Sequence, residues 1–193
     1  MEREKKNLGF NEDDKILLFF GYVRKYKGLD LLIKALPKVI SSNPNAKLLI
    51  VGEFYDDPSF YLNLIKELNL EKFVKVINRF VKNEEVGLYY GMSDLIVLPY
   101  RSATQSAVLN VSYSFQKPVV ATRVGGLEEF IDDEETGFLV QPDSSEELAD
   151  GINKFFLLKG KIDFSSNIKK RLGKSLFYKF AEIFDEIISN SAK

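Results

Sequence analysis

The sequence predicts an α/β fold: a doubly wound parallel sheet of about six strands with helices on both faces. Three observations carry that expectation. Short continuous apolar runs recur along the chain, as they do in strands buried on both faces. Between them, apolar residues repeat at spacings of three and four, the helical period. The two patterns alternate almost without exception, the arrangement that joins parallel strands through right-handed helical crossovers.

Taken in order, residues 1–14 are polar and charged, with a turn signal at Asn11 to Asp14, and read as a lead-in. Lys15 to Phe20, KILLFF, is the first strand, stopped by Gly21, and Lys47 to Val51, KLLIV, is the second, stopped by Gly52. Phe73 to Phe80 is a weaker third, and Asp94 to Leu98, Pro118 to Thr122 and Thr136 to Gln141 complete the set. Leu29, Leu32, Ile33, Leu36, Val39 and Ile40 share one face and predict a helix over Leu29 to Ser42, with Pro37 able to bend it. Pro58 to Leu68 repeats the pattern, with Pro58 suited to a first helical turn. Glu84 to Met92 is a short helix, and Ser144 to Leu158 opens on a serine cap followed by first-turn acids. A last helical pattern, Ile168 to Ile188, lies in a tail over residues 164–193. No internal repeat or low-complexity linker divides the chain, so residues 1–193 read as one domain.

Composition narrows the chemistry. With 45 % hydrophobic and 28 % charged residues the chain can bury an ordinary globular core. A net charge of −1 weighs against a nucleic-acid partner held by phosphate neutralisation. The absence of cysteine removes disulfides, a thiolate nucleophile and the usual zinc site, and the absence of histidine removes the commonest general base and transition-metal ligand. No metal site is expected. Lys, Arg, Asp, Glu, Ser, Thr, Tyr and backbone amides remain. No apolar run approaches the roughly 20 residues that span a bilayer, and MEREKKNLGF lacks the apolar core of a signal peptide, so the cytoplasm is the expected compartment.

In such sheets ligands bind beyond the carboxyl ends of the strands, at the switch point. After the first strand, GYVRKYKG places Arg24, Lys25 and Lys27 between Gly21 and Gly28. That run is either a solvated basic turn or a clamp in which Arg24 and Lys27 hold a phosphate, Arg as a planar fork and Lys as a point charge. After the fourth strand, PYRSATQSA lets the backbone approach a ligand while the next helix aims free N–H groups at it, each charge-assisted bond contributing about 1.5–3 kcal/mol. The competing reading is a tight turn in which Ser102 or Thr104 only caps the helix. After the fifth strand, Gly125 and Gly126 lead into Leu127, Glu128 and Glu129, a turn and an acidic helix start. No Walker loop is present and no Gly-x-Gly-x-x-Gly follows the first strand, against a nucleoside triphosphatase or a nicotinamide dehydrogenase.

Five segments in register, FFGYVRKYKGLDLLIKAL, AKLLIVGE, DLIVLPY, KPVVATRVGGLEEFI and ETGFLVQPDSSEELADGI, resemble the C-terminal half of family-four (group 1) retaining glycosyltransferases. The resemblance implies a Rossmann-like domain, one half of the two-domain glycosyltransferase B architecture, that binds a nucleoside diphosphate sugar as substrate without a cofactor. It places Lys27 at the family lysine and Arg24 as the substitute for an arginine whose position is Tyr22, both acting on the departing diphosphate as catalytic residues. It places the nucleobase against Gly52, Glu53 and Arg79, Phe80 and Val81, and the diphosphate against Thr104, Gln105, Ser106 and Ala107, with Gly21, Gly125 and Gly126 shaping the site. Glu129 matches a further family acid or stabilises its own helix start.

The pattern departs where two carboxylates are common, because those positions are Ala103 and Val111. A divergent branch with TQS in this loop resembles the chain more closely, so the site reads as a variant, and sugar and ribose recognition are where it differs. The alternative is a non-catalytic nucleotide-sugar-binding or interaction module. The resemblance further implies an acceptor-binding half preceding residue 1, without which the domain binds but does not transfer. Association with the inner membrane face is open only through that half.

Overall fold

The computed structural model describes residues 2–173. Within them lie α1 (Glu2–Asn7), β1 (Lys15–Phe20), a 3-10 turn (Lys25–Lys27), α2 (Leu29–Ser42), β2 (Ala46–Val51), α3 (Ser59–Glu67) and β3 (Val74–Ile77). There follow α4 (Asn83–Met92), β4 (Leu95–Leu98), α5 (Ala107–Ser114), β5 (Val119–Thr122), α6 (Leu127–Phe130), β6 (Gly137–Val140) and α7 (Ser145–Leu158). A last helix is described over residues 164–173, and the rest of the Ile168 to Ile188 pattern lies outside the described residues.

The six strands form one sheet in the order β3-β2-β1-β4-β5-β6, and every pairing is parallel. The chain winds outward from β1 through β2 to β3, then returns to the other side of β1 with β4. The switch point therefore falls between β1 and β4.

The period of two along β1 explains why both faces are covered. Leu17 and Phe19 join one core with Leu32 and Leu36 of α2, Ile65 of α3 and Ile152 of α7. Ile16 and Leu18 point the other way and pack with Tyr90 of α4, Leu109 and Tyr113 of α5 and Leu127 of α6. All four β1 residues are essentially inaccessible, and burying each such side chain contributes about 1.5–3 kcal/mol.

One expectation is corrected. Residues 1–14 are more than a lead-in, because Glu2–Asn7 is helical and Phe10 is buried in the second core. Lys5 fastens this segment by donating to the carbonyls of Glu12 at 3.0 Å and Asp14 at 2.7 Å. No helix among the described residues is long and apolar enough to cross a membrane.

Candidate functional site

Beyond the carboxyl ends of β1 and β4 lies a cavity of about 500 Å³ lined by Tyr26, Lys27, Tyr100 and the segment from Ser102 to Val108. Lys27 is its only charged lining residue, and it is buried. Its ammonium sits 5.7 Å from the centroid of the Tyr100 ring. Burial first, and then the charge of Arg24, lower its pKa to about 8. Across the cavity, α5 begins behind the Ser106 cap, whose side chain accepts from Leu109 N–H at 3.2 Å. The N–H groups of Ala107 and Val108 have no protein acceptor among the described residues and stand at the positive end of the helix. A cation and free amides around one space make a place for an anion.

A second, mostly apolar cavity of about 260 Å³ adjoins it, lined by Phe20, Gly21, Tyr22, Gly52, Glu53, Arg79, Phe80, Val81, Asn83, Val86 and Val111. Gly21 is the junction. It adopts φ +92, and a Cβ there would meet Lys27 Nζ at 3.2 Å and Val108 Cγ2 at 3.6 Å. Its bare α-carbon thus belongs to the apolar cavity while lying beneath two residues of the anion cavity. Val108 and Val111, one helical turn apart on α5, continue the same wall.

Tertiary contacts hold these walls. Arg101, just after β4, donates to both Asp30 oxygens at 2.9 and 2.8 Å and to the Lys25 carbonyl at 3.0 Å. Its Nε lies 3.0 Å from Asp143, and its backbone N–H donates to the Tyr26 carbonyl at 2.7 Å. Burial raises the Asp30 pKa, but the hydrogen bonds and charge of Arg101 outweigh it and hold the carboxyl below its ordinary value. The Thr122 hydroxyl donates to the Tyr100 carbonyl at 2.5 Å, fixing the start of the same loop. Behind the loop, a Cβ at Gly125 would fall 1.7 Å from the Ala103 carbonyl oxygen and one at Gly126 2.2 Å from that of Thr104. The two glycines let one backbone lie directly on another.

The model of the family described as "Glycosyl transferases group 1" matches residues 1–172. The chain belongs to the group 1 glycosyl transferases. A D-inositol 3-phosphate glycosyltransferase of Corynebacterium aurimucosum is 30 % identical over 158 residues, covering 79 % of this chain and 37 % of that protein. An N-acetyl-alpha-D-glucosaminyl L-malate synthase of Bacillus anthracis is 31 % identical, covering 93 % of this chain and 45 % of its own length. The chain thus spans less than half of each of these relatives. The fold is shared with the C-terminal domain of LpcC, a glycosyl transferase group 1 protein of Francisella tularensis. That likeness has a TM-score of 0.77 at 22 % identity and covers 90 % of this chain and 91 % of that one. HepE of Anabaena, solved with UDP-glucose, has a TM-score of 0.79 at 22 % identity, covering 96 % of this chain and 52 % of HepE.

Against the group 1 expectation, the residues fall into three sets. Lys27, Thr104, Gln105, Ser106 and Ala107 meet in the anion cavity, with Ala103 among them. Gly21, Gly52, Glu53, Arg79, Phe80, Val81 and Val111 meet in the apolar one. Arg24, Gly125, Gly126 and Glu129 line neither. Arg24 is exposed, its guanidinium 4.5 Å from the Tyr55 ring centroid. The glycines back the loop, and Glu129 is exposed on α6 with its carbonyl accepting from Arg171. The cap of α5 is Ser106, in place of Ser102 or Thr104.

Several residues escaped the sequence reading. Tyr26 and Tyr100 were hidden as ordinary loop aromatics. Arg101 and Asp30 carry only a weak signal, an acid in the first turn of α2 and a basic residue after β4. Glu85 fixes Arg79 through bonds of 2.8 and 2.5 Å, with Tyr89 adding one at 3.1 Å. Those bonds from Arg79, with the Lys82 N–H, hold the Glu85 carboxyl at about 2.

Proposed function

We propose that this chain is the donor-binding half of a retaining glycosyltransferase that takes a nucleoside diphosphate sugar as substrate, needs no cofactor, and is completed by a separate acceptor-binding half. The junction at Gly21 supports the reading best. It joins an apolar space sized for a base to an anion space, so one extended ligand with a flat apolar end and a charged middle fits both. The family membership and the UDP-glucose complex of the HepE fold neighbour agree with that ligand class.

In this reading the diphosphate lies between Lys27 and the amides of Ala107 and Val108. As the bond from sugar to phosphate breaks, negative charge grows on the departing oxygen. A preformed cation and two fixed N–H groups stabilise that charge without having to reorganise. Arg24 adds a longer-range positive field, already felt in the lowered Lys27 pKa. The isolated chain binds donor and does not transfer, and any membrane contact falls to the other half.

Calorimetric titration of UDP, GDP and ADP into wild type, Arg24→Ala and Lys27→Ala tests the clamp. Lys27→Ala is expected to cost about 1.5–3 kcal/mol of binding and Arg24→Ala less. Undiminished affinity in Lys27→Ala sinks the assignment.

A second reading, a binding module without transfer, is favoured by Ala103 and Val111, which give both cavities apolar groups where carboxylates are common. Assaying sugar transfer with the acceptor half joined separates the two. Turnover excludes the module, and tight binding without turnover supports it.

A further inference from the structure

Tyr26 has no role in the anion chemistry, yet it is built into the cavity that performs it. Its backbone is fixed, because its carbonyl accepts the Arg101 N–H at 2.7 Å and Arg101 also grips the carbonyl of Lys25 beside it. Its ring stands edge-on to buried Tyr100, with centroids 6.1 Å apart at 74°. Tyr26 as a residue nevertheless remains 41 % exposed and lines the cavity wall. A well-anchored aromatic with a free face, lining a space whose other side chains are mainly small and polar, is an arrangement for an amphipathic ligand.

The rest of the lining defines that ligand. Ser102, Thr104 and Gln105 bring two hydroxyls and an amide, Ser106 being committed to the α5 cap, and no carboxylate lines the cavity. Lys27 and the α5 amides account for an anion, which leaves the polar side chains and the Tyr26 face for whatever the anion carries. A pyranose ring has that mixed character, with hydroxyls at its rim and weakly positive C–H groups on its faces. Aromatic faces carry the complementary negative charge.

We infer that Tyr26 is the platform on which the ring of the transferred sugar stacks, and that it makes the site selective for a pyranosyl group with an uninterrupted C–H face. This rests on the donor-binding reading. Recognition through an aromatic face and neutral hydrogen bonds takes the place of recognition through a carboxylate, which suits the alanine at position 103.

The test is a titration of wild type, Tyr26→Ala, Tyr26→Leu and Tyr26→Phe. The probes are UDP, GDP and ADP, and UDP-glucose, UDP-N-acetylglucosamine, GDP-mannose and ADP-glucose. For the nucleotide that wild type binds, Tyr26→Ala and Tyr26→Leu are expected to weaken the sugar conjugate about five- to tenfold more than the free diphosphate, with Tyr26→Phe restoring the difference. Equal losses for conjugate and free diphosphate, or none for either, overturn the platform while leaving the donor site standing. Failure of wild type to bind any probe overturns the donor site and the platform with it.

Discussion

The guanidinium of Arg101 donates two hydrogen bonds to the Asp30 carboxylate, at 2.9 and 2.8 Å, and so ties the segment after β4 to the first turn of α2. The bond spans the switch point, where no strand pairing continues beyond the sheet. Lys27 stands just before α2, and the cavity-lining segment from Ser102 onward follows Arg101 directly, so the pair braces two walls of the cavity without lining it.

Arg101→Ala should therefore act on stability and binding together. It leaves a mostly buried carboxylate with only the longer Lys34 contact at 3.9 Å, at a cost of about 2 kcal/mol in urea unfolding. Asp30 titrates below its ordinary value in the folded chain, so its contribution is complete above the unfolded pKa of 3.8 and is lost as pH falls through the lower folded value. In Arg101→Ala that acid-side loss should shrink. Nucleotide affinity should fall severalfold although the removed side chain is no part of the cavity lining.

Lys27 makes binding depend on pH near neutrality. Its pKa of about 8 means that an anion meets a charged ammonium below that pH and must restore the proton above it. Diphosphate affinity should fall as pH rises through about 8, by at most about tenfold per unit. The stability of the unliganded chain should move the opposite way. Between about 8 and 10.5 the unfolded chain holds the proton that the folded chain has lost, so stability rises across that window. Lys27→Arg should remove the pH dependence of binding, since a guanidinium stays charged. Calorimetry from pH 7 to 9.5, with unfolding measured in parallel, reads both signs.

The Gly125 contact predicts a loss at a position that touches no ligand. Gly125→Ala places a methyl group 1.7 Å from the Ala103 carbonyl oxygen at φ +47, where an L residue is strained as well. We expect at least about 2 kcal/mol of destabilisation and a displaced loop with weakened diphosphate binding. Gly160→Ala, where nothing lies within 4 Å, should stay within about 0.5 kcal/mol of wild type.

Strand β1 was legible because a strand covered on both faces needs no alternation, and KILLFF ending at Gly21 has none. The third strand, Val74–Ile77, is shorter than its sequence pattern over Phe73 to Phe80, because at the sheet edge its residues are only partly buried and the apolar signal fades without a boundary. Helix α1 escaped because its six residues, EREKKN, are all polar, and it is fastened through Lys5 and the neighbouring Phe10. In the site, Lys27 and the start of α5 could be read from loops that follow strands. The Arg101–Asp30 pair could not, since its members are 71 residues apart and each alone is an unremarkable charge. Tyr26 lies within a basic run whose charges are the stronger sequence signal, although it lines the cavity itself.

In the proposed reading the two cavities joined at Gly21 hold the two ends of one ligand. A titration of the ¹⁵N-labelled chain with UDP, GDP or ADP, followed by amide chemical shifts, tests it most directly. Gly21, Gly52, Val81, Ala107 and Val108 are expected to shift along a single binding isotherm for the nucleotide the chain prefers. Shifts confined to one cavity, or two isotherms with separate midpoints, would contradict it.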